Sequence, residues 1–285
     1  MILITGATGT IGTESARLLA EHGTPFRVLA RDPSRVAPRE PGEVVRGDFD
    51  DAASLRSAMT GIDAVLLIVP FGRAMAAHDR AVVDAARAAG VGRIVKLSAL
   101  GTGETDDPAD ARSRHTAGEQ AVRDSGAAWT LLRPSGFASN TLGWAAMIRD
   151  GQPVPDMTGG GALGIVDPRD VAAVAVAVLT SEGHVGAVYT LTGPEPLSTP
   201  AQAAILATGL GRPVTTVDVE PAAAAEGMRA AGVDAVTVAM VERGWSLVRE
   251  GGGAAVTGDV ELVLGRAPRT FATWVDDHRE AFADG

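Results

Sequence analysis

The sequence predicts a doubly wound α/β fold, and three observations carry that expectation. Short apolar runs alternate with helical patterns along the first two thirds of the chain. The runs at its centre are apolar throughout, as strands covered on both faces are. The opening run breaks straight into a glycine-spaced turn, the form a strand takes when it folds sharply into a helix.

The first strand runs from Met1 to Thr5 and leads into Gly6-Ala-Thr-Gly9-Thr-Ile-Gly12, after which Ile11, Leu18 and Leu19 share a helical face. A buried strand meeting a helix N-terminus, with glycines admitting close backbone approach, describes a dinucleotide diphosphate site. Gly6, Thr8, Gly9, Thr10, Ile11 and Gly12 are its candidate contacts. Further strands are expected from Phe26 to Ala30, Val44 to Arg46, Ala64 to Val69, Arg93 to Ser98 and Trp129 to Arg133, with a helix from Ala77 to Ala89. Parallel strands joined by right-handed crossovers follow from that alternation.

Residues 1–150 are therefore expected to form a Rossmann domain, its sheet completed by about 164–192. There a helix spans Val171 to Leu179, begun and capped near Asp170, and a strand spans Ala187 to Leu191. Residues 151–163 contribute a loop, marked by Gly151-Gln-Pro-Val-Pro155 and Thr158-Gly-Gly-Gly161. Residues 193–285 form a smaller, mainly helical lobe over the cofactor edge, with helices from Ala201 to Leu210, Ala222 to Gly232 and Pro268 to Phe282.

Composition narrows the function classes. The chain has 285 residues, enough for a full core, and is 46% apolar but only 4% aromatic, so small side chains must do most of the packing. The absence of cysteine excludes disulfides, thiolate metal sites and a thiol nucleophile. His22, His78, His115, His184 and His278 lack ligand spacing, so no metal is expected. A formal charge of −10 without a basic stripe argues against nucleic acid. The longest apolar run, Val171 to Leu179, is too short for a bilayer, and Met1 already opens the first strand, so neither a membrane span nor a signal peptide is expected. A cytoplasmic location fits, and a homodimer stays open.

After the second strand comes Arg31-Asp32-Pro33-Ser34-Arg35. Arg31 falls where a 2′-phosphate is read, Arg35 can lie across it, and Asp32 is one place late for a ribose hydroxyl, which favours NADP(H) over NAD(H). The alternative is a pair of solvated arginines with a surface pairing to Asp32. Asp48 and Phe49 after the third strand suit an adenine edge, although Asp48 is equally placed to cap the helix starting near Ala52. Val69 and Pro70 are placed beneath the riboses, Ser98 at the end of the fifth strand, and Pro134 and Phe137 beside the nicotinamide.

In the order of its motifs the chain resembles the NmrA-like branch of the atypical short-chain dehydrogenases/reductases, and within it the NAD(P)H:quinone oxidoreductase-like members. The resemblance rests on the glycine turn, Arg31-Asp-Pro, Gly47-Asp48, Val95-Lys-Leu-Ser98-Ala, His115-x-x-x-Glu119, Trp129-Thr-Leu-Leu-Arg133-Pro134, Asp167-Pro-Arg-Asp170-Val-Ala and Gly265-Arg-Ala-Pro268-Arg-Thr270-Phe. It implies an NAD(P)-binding Rossmann domain with a smaller substrate lobe.

Ordinary members pair a serine with Tyr-x-x-x-Lys, whose phenol protonates a developing alkoxide. With Ser98 as the serine, that register falls on His115 and Glu119, and the sole tyrosine, Tyr189, belongs to a later strand. A quinone-like or conjugated aromatic carbonyl acceptor gives a less basic product and tolerates the loss. His115 is the first candidate for proton delivery, its ordinary pKa lying near neutrality. It is alternatively a helix residue tied to Glu119. Ser98 either donates to substrate or closes its strand, and Glu119 is read as structural. Phe71, His115, Phe137, Asn140, Trp144 and Met147 are the candidate acceptor contacts, two of the last four expected to touch it. The rival function is a non-catalytic NADP(H)-binding redox sensor, whereas an epimerase suffers more from the missing tyrosine.

Overall fold

The structure is a computed structural model describing residues 1–283 apart from 38, 108 and 109. Its centre is a seven-stranded parallel sheet of β1 (Ile2–Ile4), β2 (Phe26–Ala30), β3 (Gly42–Arg46), β4 (Ala64–Leu67), β5 (Arg93–Leu97), β6 (Ala128–Pro134) and β9 (Ala187–Leu191), in the order β3-β2-β1-β4-β5-β6-β9. All pairs are parallel, with Ile4 beside both Val28 and Leu66. This is the expected doubly wound Rossmann-like sheet.

Alternate strand residues feed two separate cores, which is why the strand sequences carry no polar face. Ile2, Ile4, Leu66, Val95 and Leu132 pack with α1 (Thr10–Glu21) and α6 (Pro168–Thr180). Leu3, Val65, Leu67, Ile94 and Leu131 pack with α2 (Ala52–Ala58), α3 (Met75–Ala88) and α4 (Ala111–Arg123). A buried leucine or valine here contributes about 1.5–3 kcal/mol, so register on both faces is firmly set.

A third core joins α5 (Ala145–Arg149), α7 (Thr199–Leu210) and α11 (Phe271–Asp277) through Ile148, Leu206, Phe271 and Trp274. The segment 151–163 is more ordered than the loop expected from its glycines and prolines. It carries β7 (Val154–Asp156) and β8 (Ala162–Leu163), paired with β11 (Thr216–Asp218) and β10 (Leu197–Ser198) respectively. The 193–285 stretch also contains α8 (Pro221–Ala230) and α9 (Ala235–Arg249), followed by α10 (Asp259–Leu264). That last helix returns to the sheet, burying Val260 in the first core, while the Asp259 carboxylate accepts the Thr190 amide at 2.7 Å.

Capping follows local chemistry. Asp167, ahead of Pro168, caps α6 by accepting the Arg169 amide, so Asp170 is not the cap assigned to it from sequence. Ser198 caps α7, which ends on left-handed Gly211.

Candidate functional site

The strand order places the carboxyl ends of β1 and β4 side by side at the point where the winding reverses, the place where open α/β sheets take ligands. The Thr5 hydroxyl staples the two ends, donating to the Ile68 carbonyl and accepting the Ile68 amide, each at 2.8 Å. Gly6 follows with φ +62°, and a Cβ there would lie 2.8 Å from Ile68 Cγ2. At Gly12 a Cβ would lie 2.5 Å from the Gly6 carbonyl oxygen, so glycine lets α1 close on the loop. Gly9 begins α1 without a side-chain cap. First-turn amides lack intrahelical acceptors, and an anion at such a helix start gains about 0.3–1 kcal/mol. The loop and the uncapped helix start can hold an anionic group.

On one side of this loop lies a cavity of about 360 Å³ lined by Gly6, Thr8, Arg31, Arg35, Phe49 and Pro70. Among the described residues neither arginine has a hydrogen-bonded or ion-paired partner. The alternative surface pairing with Asp32 does not form; Asp32 Oδ1 accepts the Ser34 hydroxyl at 2.7 Å and the Ser34 amide at 3.1 Å. Those bonds, with the charges of Arg35 and Arg46, hold its carboxyl below the usual range. Phe49 lies against His78 with ring centroids 5.2 Å apart and planes tilted by 32°. Asp48 accepts the Asp50 amide at 3.1 Å, and the cap expected of it is supplied instead by Asp51, whose carboxylate accepts Ala53 and Ser54.

A cavity of about 240 Å³ on the other side is lined by Gly9, Thr10, Ile11, Gly12, Phe137 and Asn140, with Gly6 shared between the two. Val69, Ser98, Pro134, His115, Trp144 and Met147 line neither. Val69 packs into the second core and Trp144 into the third, while Met147 is half-buried on α5. The Pro134 carbonyl already accepts the Leu100 amide at 2.9 Å.

Beneath α4 the polar groups are bound to one another. Ser98 is buried and its hydroxyl donates to Glu119 Oε1 at 2.6 Å. Arg133 grips both oxygens of that carboxylate, at 2.8 and 2.7 Å. Burial pushes Glu119 up, but the hydrogen bonds from Arg133 and Ser98 outweigh it and leave the pKa lowered. The structural reading of Glu119 agrees with this geometry, and the tie from His115 to Glu119 is replaced by Arg133.

His115 Nδ1 is buried without a partner among the described residues. Burial, and then the positive charge of Lys96, push His115 down to about 4, against a smaller opposing pull from Glu119. The near-neutral pKa expected from sequence is thereby corrected, and the ring is neutral at pH 7. Lys96 escaped the sequence reading. It is 1% exposed on β5 and donates to Asp79 Oδ1 at 2.7 Å. A lysine inside Ile94-Val-Lys-Leu97 was the available signal. Tyr189, bonded to His184 at 2.8 Å, serves the far end of the sheet.

A third cavity of about 430 Å³ lies past Phe71, between Arg114 on α4 and the first turn of α9. The sequence reading contained neither α9 nor Arg114. The β-branched run Val236-Thr-Val238 obscures the helix, which Asp234 starts by accepting the Val236 and Thr237 amides. Among the described residues no cluster of His, Asp or Glu has metal-ligating geometry, and no helix is long and apolar enough to cross a membrane.

Comparison with known proteins agrees with this geometry. A family model described as NAD(P)H-binding matches residues 6–182. The chain is 43% identical over 99% of both chains to a (4-alkanoyl-5-oxo-2,5-dihydrofuran-3-yl)methyl phosphate reductase of Streptomyces griseus. It is 34% identical, again over 99% of both, to an NAD(P)H azoreductase of Xenophilus azovorans. The crystal structure of an NADPH-dependent quinone oxidoreductase of Escherichia coli complexed with NADPH superposes with a TM-score of 0.86 at 27% identity, covering 97% of this chain and 99% of that one. The glycine loop at the β1–β4 switch point, together with these end-to-end likenesses, makes the chain a member of the NAD(P)H-binding family, within the NmrA-like atypical short-chain dehydrogenases/reductases, and an NAD(P)H-dependent oxidoreductase.

Proposed function

We propose that the protein is an NADPH-dependent reductase of a conjugated, electron-poor acceptor, quinone-like or an unsaturated or aromatic carbonyl compound, working without a Tyr-x-x-x-Lys dyad. The observation that carries this reading is the commitment of the Ser98 proton to Glu119 beside a neutral His115. No group there is a strong acid at pH 7, so an acceptor whose reduced form is weakly basic suits the site and a simple ketone does not. The bound coenzyme supplies the hydride. The loop Gly6 to Gly12 and the cavity with Arg31 and Arg35 hold its diphosphate and 2′-phosphate ends, and the two unpaired guanidiniums favour NADP(H) over NAD(H). Phe137 and Asn140 flank the reacting end. The relatives are named for reduction of a dihydrofuranone phosphate and of azo compounds, both conjugated groups.

The test is consumption of NADPH, and separately of NADH, against menadione, an azo dye, an unsaturated lactone and cyclohexanone. Turnover of at least one conjugated acceptor with NADPH preferred, and none of cyclohexanone, is expected. Tight NADPH binding without turnover of any acceptor rejects the reductase in favour of the sensor.

A further inference from the structure

The third cavity is lined by two arginines that have no hydrogen-bonded or ion-paired partner among the described residues. Arg114 is half-buried, and its Nε is fully enclosed without a hydrogen-bond partner among the described residues. Leaving a buried guanidinium donor unpaired is costly, so its retention points to a ligand that completes it. Arg73 lines the same space from the loop after β4 and also lacks a hydrogen-bonded or ion-paired partner among the described residues. One carboxylate, Asp234, lines the cavity as well. Its oxygens are occupied by their own helix, Oδ1 accepting the Val236 and Thr237 amides and Oδ2 the Thr237 hydroxyl at 2.6 Å. Asp234 keeps its charge and feels that of Arg73, but two guanidiniums against one carboxylate leave the lining net positive in a chain of formal charge −10.

Along the chain its wall adjoins the coenzyme cavity and the His115 position. Phe71 and Gly72 on its wall directly follow Pro70, which lines the cavity on the Arg31 side, and Arg114 directly precedes His115. Met240 and Val236 supply an apolar wall from α9. A ligand with an anionic terminus and an apolar body matches this lining.

We propose that Arg114 and Arg73 form a subsite for a phosphate monoester carried by the acceptor, so that the substrates of this enzyme are phosphorylated conjugated compounds. Planar guanidiniums match phosphate oxygens with paired charge-assisted hydrogen bonds, and a buried one is worth more than an exposed one. Arg114 is the anchor; Arg73, exposed at the rim, steers. This assignment rests on the reductase reading above, and it is tested by two measurements that fail independently.

The first is calorimetric binding of phenyl phosphate, with phenol as the neutral control, to the protein saturated with NADP⁺ so that the coenzyme's own phosphate sites are filled. Binding of phenyl phosphate alone, weakened about tenfold or more in Arg114→Gln and partly restored in Arg114→Lys, which keeps the charge but not the planar fork, is expected from the loss of one charged hydrogen-bonding partner. Equal affinity in wild type and Arg114→Gln, with NADP⁺ affinity intact in both, overturns the subsite whether or not the protein turns over. The second is the KM of a hydroxymethyl-substituted unsaturated lactone against that of its phosphate ester. Arg73→Gln and Arg114→Gln should raise KM for the ester alone and leave the neutral lactone unchanged. Ready reduction of the neutral lactone with no preference for the ester removes the subsite and leaves the reductase standing. Arg114-dependent binding of phenyl phosphate by a protein that reduces nothing sustains the subsite and removes the reductase.

Discussion

His115 is held neutral by its surroundings, and the consequence is measurable as stability. The folded ring has a pKa pushed down to about 4 from an ordinary 6.5. Between those values the unfolded chain binds a proton that the folded chain refuses, so stability is fully present above pH 6.5 and drains away as pH falls toward 4. The loss is about 3 kcal/mol at most. His115→Gln should therefore lose less stability than wild type between pH 7 and pH 4.5 in urea titrations. Parallel pH slopes for the two proteins would refute the neutral ring. In turnover, kcat should show no inflection between pH 6 and 8 that disappears with His115→Gln. The same residue shows what a sequence register conveys. His115-x-x-x-Glu119 sets both residues on α4, but the pKa depends on burial and then on Lys96 approaching from β5, and partners distant in the chain leave no mark on local spacing.

At the scale of elements, β5, α3 and α4 meet around one buried ion pair. Lys96 and Asp79 are 1% and 0% exposed, and Asp79 Oδ2 has no partner among the described residues. Burial pushes the Asp79 carboxyl up against the opposing pull of Lys96. Gly118 makes room for the pair, since a Cβ there would fall 2.0 Å from Asp79 Oδ2. Lys96→Met strands a buried carboxylate and should cost about 3–5 kcal/mol, whereas Lys96→Met with Asp79→Leu should recover most of it. A double variant no more stable than the single one would show that the pair is more than packing. Gly118→Ala should lower the thermal midpoint more than Gly227→Ala on α8, where a Cβ meets nothing within 4 Å. The seven strands of the central sheet were legible, with ends within about two residues of their observed places, because burial on both faces writes an unbroken apolar run, whereas the short strands β7, β8, β10 and β11 were not. The helix α9 was not, because valine and threonine resist a helical reading until the Asp234 cap is recognised.

For the whole molecule, the first turn of α6 joins the C-terminal helices to the sheet. Asp170 is fully buried and accepts the Arg266 guanidinium and the Arg269 amide, each at 2.6 Å, together with the Arg269 guanidinium. At the preceding position, Arg169 bridges Asp167 and Asp277, each at 2.6 Å. These two links look alike on paper and should behave differently. The Arg169 bridge to Asp277 is partly exposed, so removing Asp277 should cost less than about 1 kcal/mol. Asp170 organises a buried amide and two guanidiniums, so Asp170→Asn should cost about 2–4 kcal/mol. That loss should be local. The proposed coenzyme cradle is lined by residues before position 71 and by Phe137, Ser139, Asn140 and Pro168, and although Pro168 shares the first turn of α6, none of them bonds to the Asp170 carboxylate. Asp170→Asn should accordingly keep NADP⁺ affinity within about threefold while the acceptor KM rises, and amide exchange should accelerate over Phe271–Asp277 with β1 and β4 still protected. Uniform acceleration across sheet and C-terminal helices would mean that the molecule opens as one unit. The 193–285 stretch would then be an inseparable layer of the same cooperative core, and the acceptor side could not be altered without altering the grip on the coenzyme.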